Sequence, residues 1–148
     1  MRTIILTCFI AMSSTFAMAG NQSAQANTNV NKLLTQFTKS LNSGAFNDAW
    51  SSGGSKAFSK EMKSATTAGA VGSALSGLVQ NYMVDSAFKT GWSTVKDKWI
   101  KDTKTASTIS TVAGSLLTLE SYIDPSMFTK KWPMVQPYWR SALQTLAS

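Results

Sequence analysis

The chain has 148 residues, with 14 Lys and Arg against 7 Asp and Glu, a formal charge of +7 and no histidine. Without imidazole the chain lacks the commonest general base and the commonest metal ligand, which argues against zinc, copper and non-haem iron chemistry. The one cysteine, Cys8, stands in an N-terminal apolar run, so a disulfide framework is excluded as well.

Taken in chain order, Arg2 precedes Ile4, Ile5, Leu6, Cys8, Phe9, Ile10 and Ala11, and Ala17-Met18-Ala19 precedes Gly20. A positive start, a short apolar region and an A-x-A site predict a cleaved secretory signal over residues 1–19. The mature chain is then expected to be periplasmic or secreted. Residues 20–28 are Asn, Gln, Ser, Ala and Thr with one Gly, and read as a disordered leader. Residues 29–148 remain as a single domain.

Val30, Leu33, Leu34, Phe37 and Leu41 follow helical spacing, with Gly44 as a stop. Residues 46–50 suggest a short helical turn. Ser51-Ser52-Gly53-Gly54 reads as a loop, and Ser55 as the cap of a short helix through Met62. No charge occurs from Ser64 to Val84, where Val71, Leu75, Leu78 and Tyr82 recur at steps of four and three; Trp92, Val95 and Trp99 continue the pattern. This predicts one long helix, or two broken near Gly91. Asp85 with Lys89 and Asp97 with Lys101 are acid-before-base pairs that would support it. Ile109, Val112, Leu116, Leu119 and Ile123 form another stripe, which Asp124-Pro125 ends. Pro133 and Pro137 are expected to interrupt the next segment, before a last helix holding Trp139, Leu143 and Leu146. The fold class is all-α, a small bundle of four to five helices.

A shift of 40 residues superposes Tyr82 on Tyr122, Ser86 on Ser126, Phe88 on Phe128, Trp92 on Trp132, Val95 on Val135 and Trp99 on Trp139. Phe46 and Trp50 echo the same four-residue step. Two related helical units are one explanation. Two amphipathic segments whose aromatics fill a core are the other, and the three prolines of the second copy speak against an identical helix there.

Sequence patterns that carry chemistry are weak. Ser86-Ala87-Phe88-Lys89 and Lys89-Thr90-Gly91 match the S-x-x-K and K-T-G patterns of penicillin-binding enzymes, but overlap on one lysine. A second S-x-x-K at Ser93 shows how cheaply it arises. The chain is therefore read as non-enzymatic, with no cofactor and no metal.

Two surface readings remain. Lys96 and Lys101 accompany Trp92 and Trp99, while Lys130 and Lys131 accompany Trp132 and Trp139. Basic side chains beside aromatics suit an envelope protein or an anionic membrane surface, or else the tryptophans are core and the lysines a solvated face. Nucleic acid is disfavoured by export and by the scarcity of arginine. In the alternative reading the chain is membrane-active or pore-forming: Gly69, Ser73 and Gly77 share a helix face in the uncharged segment 64–84 and would form a helix contact in lipid.

Overall fold

Val30-Leu34-Phe37, Val71-Leu75-Leu78 and Val112-Leu116-Leu119 repeat one helical spacing three times, and all nine side chains are fully buried. They mark the inner helices of three consecutive units. The computed structural model describes residues 24–148, so the expected signal and residues 20–23 lie outside the described residues. Among the described residues there are six α-helices: α1 (Ala24–Lys39), α2 (Ser55–Ser64), α3 (Ala68–Tyr82), α4 (Trp92–Lys104), α5 (Ile109–Tyr122) and α6 (Trp132–Ala147). The all-α expectation holds, with one or two helices more than expected. Residues 24–28, expected in the leader, are instead the start of α1. There Asn27 is buried, and its amide donates to the Thr66 carbonyl at 2.6 Å.

Each unit is an inner helix, an extended residue, one 3-10 turn, a second extended residue and an outer helix. The 3-10 turns are Ser43–Ala45, Asp85–Ala87 and Pro125–Met127. The extended residues pair between units as isolated antiparallel bridges: Phe46 with Met83, Phe88 with Ile123, and Phe128 back with Leu41. Backbone hydrogen bonds repeat the same cycle. Asn47, Lys89 and Thr129 donate to the carbonyls of Tyr82, Tyr122 and Ser40 at 2.7–2.8 Å. The third unit therefore closes onto the first, and three units form a ring. The inner helices α1, α3 and α5 all contact one another at its centre.

Local chemistry places the joints. Thr67 and Thr108 cap α3 and α5, accepting from the amides of Ala70 and Thr111 at 3.1 and 3.2 Å. Of the two expectations for residues 64–102, two helices hold and not one: α3 ends at Tyr82, and α4 begins after Gly91, whose φ of 102° suits glycine. The prolines do not interrupt α6. Pro133 stands in its first turn, where no backbone donor is needed. Pro137 lies inside the helix but on its exposed side, where water can satisfy the freed carbonyl. The Ser-Ser-Gly-Gly segment is a tight turn rather than an open loop: Gly53, at a φ of 141°, kinks the chain within Trp50–Gly54, and the Ser55 amide donates to the Trp50 carbonyl as α2 begins. The expected acid-before-base pairs are replaced by Asp85 with Lys96 at 3.5 Å and Lys98 with Asp102 at 2.5 Å.

Asp124 caps the third 3-10 turn, accepting from the Ser126 amide at 2.9 Å and its hydroxyl at 2.8 Å. These two bonds, with Lys89 nearby, hold its carboxyl below the ordinary aspartate value. A depressed folded value means stability present above the unfolded value and lost as pH falls through the folded one. Melting temperature followed down through the carboxylate range should therefore fall less steeply for Asp124→Asn than for the parent chain.

Candidate functional site

The four tryptophans expected at a contact surface are buried: Trp92, Trp99, Trp132 and Trp139 are each 6% exposed or less. Their partners are internal. Phe88 stacks on Trp92 and Phe128 on Trp132, with centroids 4.5 and 4.7 Å apart. Phe46 and Trp50 stack in the same way in the first unit. The Trp99 indole donates to the Ser115 carbonyl at 2.8 Å, and the Trp139 indole to the Leu33 carbonyl at 2.9 Å. Each of these outer helices is thus tied to the inner helix of the next unit. The tryptophans build the ring and leave none of their bulk for a partner.

The small-residue ladder is reassigned too. Ser73 is exposed, and Gly69 and Gly77 are half-buried with ordinary space around them. The close approach is at Gly72, where an added Cβ would lie 2.4 Å from the Thr103 carbonyl oxygen. The helix carrying these residues, α3, is 15 residues long, and its apolar side chains face the ring centre. Among the described residues no helix is long and apolar enough to cross a membrane. Ser86 sits exposed on the second 3-10 turn, with Lys89 after the extended Phe88.

The lysines separate into different places. Lys96 pairs with Asp85 in the second unit, and Lys101 lies exposed near the end of α4. Lys130 and Lys131, adjacent in sequence, line two different clefts. The Lys131 cleft is a groove of about 480 Å³ between α1 and the start of α6, lined also by Lys32, Lys39, Thr35, Gln36, Ser40, Thr129 and Val135. Lys32 and Lys39 are seven residues apart, which sets them two turns apart on one face, about 10 Å.

No acid reaches this face along its own elements. Acidic side chains run from Asp48 to Asp124, so none lies in α1 or α6. Segregated charge of this kind produces a field that neighbouring pairs do not cancel. On α6, Met134 and Tyr138 stand one turn apart and are 74% and 79% exposed, the exposed large apolar side chains among the described residues.

Comparison with family models, curated proteins and solved structures finds no match.

Local sequence reasoning does not single out Lys32, Lys39, Met134 or Tyr138. One signal for them is present, the absence of acids at both ends of the chain. It pairs the two ends only once the ring brings α1 beside α6.

Proposed function

We propose that the chain is an exported, non-enzymatic binding protein that engages an anionic membrane surface in the cell envelope through the face formed by α1 and α6. The observation that carries this reading is the acid-free basic groove of Lys32, Lys39 and Lys131, with exposed Met134 and Tyr138 on the adjoining helix. Lysine heads attract anionic headgroups, while a methionine and a tyrosine one turn apart supply the shallow apolar contact such surfaces accept.

Magnitudes set the expected strength. The three groove lysines give about 3 kcal/mol at roughly 1 kcal/mol each, which alone is weaker than millimolar affinity. Partial burial of Met134 and Tyr138 adds on the order of 1–3 kcal/mol. Binding is thus expected to be reversible and weakened by salt.

Co-sedimentation with vesicles tests this. Pelleting is expected with anionic vesicles at low salt and not with neutral ones. The double variant Lys32→Glu, Lys131→Glu should lose it, and Met134→Ser with Tyr138→Ser should weaken it. No pelleting with anionic vesicles would overturn the membrane reading and leave an acidic protein as the partner to seek. Salt-resistant pelleting with neutral vesicles would point to insertion instead.

A further inference from the structure

All three units present a cleft beside the start of the outer helix, about 410 Å³ in the first, and those of the second and third are not equal. In the second unit the cleft is about 380 Å³, and Asp85 and Lys96 form an ion pair 3.5 Å apart on its lining. In the third unit it is about 510 Å³, and Pro125 and Gln136 stand at those positions. Glu120 lies in the core register that Val79 occupies in α3, and Arg140 in that of Ile100 in α4. The Glu120 side chain is only 7% exposed; it pairs with Arg140 and accepts from Gln136 Nε2 at 2.8 Å.

The fold does not require this polar cluster, since the sibling unit holds an apolar residue at each of the two slots. Desolvating a carboxylate is costly, and a well-packed apolar pair commonly serves stability as well or better. The departure from the repeat falls on residues that line the larger of the two clefts.

We infer that this cleft is a binding site for a small carboxylate carrying an apolar body. Glu120 takes Arg140 Nη1 and so fixes the guanidinium before any ligand arrives. Arginine has five donors in a planar fork, and this side chain is 38% exposed, which leaves further donors for a second carboxylate. Lys89 and Lys130 line the same cleft, so cations outnumber its one lining carboxylate, which Arg140 neutralises; Asp124 lies near Lys89, which leaves Lys130 as the cation farther from an acid in sequence. Phe128 and Pro133 provide the apolar wall, with only the edges of the buried Ile123 and Trp132 at its floor. The volume is in the range of small-ligand sites.

NMR titration of the ¹⁵N-labelled chain with benzoate, and separately with inorganic phosphate, tests the site. Benzoate should give saturable shifts at the Trp132 indole and the Lys130 amide, with phosphate much weaker. Lys130→Gln and Arg140→Lys should each weaken benzoate about tenfold, the scale of one charge-assisted hydrogen bond. The double variant Lys32→Glu, Lys131→Glu should bind benzoate as the parent does, which separates this site from the membrane-facing groove. Lys130 is exposed, so Lys130→Gln remains informative even if Arg140→Lys unfolds. Unchanged benzoate affinity in Lys130→Gln, absence of saturable shifts, or phosphate binding as tightly as benzoate would each overturn the inference.

Discussion

Trp139→Ala should lower the unfolding free energy by about 3–5 kcal/mol, the usual cost of emptying a large aromatic site in a core. The side chain is 1% exposed, stacks on Phe37 at 5.4 Å and meets Trp132 edge-on at 5.1 Å. Its indole also donates to Leu33, across the seam between the last unit and the first. Against a typical total of about 5–15 kcal/mol, this loss would leave the chain marginal. The fold contains its own control. Phe58 is buried against Trp50 in the first unit, where the other outer helices carry Trp99 and Trp139. Trp139→Phe should therefore cost only about 1–2 kcal/mol, mostly the lost hydrogen bond and a small void. Urea denaturation of the two variants measures both. Equal losses would mean that the seam does not depend on aromatic bulk.

Gly72→Ala and Gly77→Ala should change stability in opposite directions. Both lie in α3, and in an open helix either substitution would gain up to about 1 kcal/mol from propensity. At Gly77 the new Cβ has 3.7 Å to its nearest neighbour, the Asn81 amide, so the gain should appear. At Gly72 it would sit 2.4 Å from the Thr103 carbonyl oxygen, which is backbone and cannot rotate away. The two helices α3 and α4 must separate, at a cost of about 1–3 kcal/mol for overpacking. Thermal melts of the pair report the contrast. A stabilised Gly72→Ala chain would contradict so close an approach of the two backbones.

Helical spacing made the apolar stripes of α1, α3 and α5 legible, because Val, Leu and Phe at steps of four and three fit no other periodicity. The third repeat was not legible at a constant shift. Leu34 corresponds to Leu75 at one offset, and Trp50 to Trp92 at another. The reason is two local length changes: Phe37 to the bridge residue Leu41 is four residues but Leu78 to Met83 is five, and the turn at Trp50–Gly54 then takes up one extra residue while keeping Phe58 against Trp50. Gly54 permits this, since a Cβ there would lie 2.3 Å from the Tyr82 ring. The prolines misled for a related reason. Their local rule is sound, but Pro133 occupies a first turn and Pro137 an exposed face, and both are places that tolerate a missing donor.

The candidate site was less legible than the fold. A tryptophan beside lysines has the same pattern whether it faces a partner or a core, and all four expected contact tryptophans proved to be inside. The basic groove needs Lys32 and Lys131 side by side, which is a property of ring closure and not of any local window. Glu120 and Arg140 likewise come together only through the packing of α5 on α6.

Ring closure also governs how the chain is made. The Leu33 carbonyl and the Trp139 indole that meet at the seam are 106 residues apart, so the first helix must wait for the last. During synthesis α1 emerges with Phe37 and Leu34 lacking their final neighbours, and no order of local docking can supply them before α6 exists. Such long-range pairing is paid for in loop entropy before it is rewarded, which slows folding. A nascent chain of this topology therefore stays open until α6 has emerged, leaving an interval in which Phe37 is without its aromatic partners on α6.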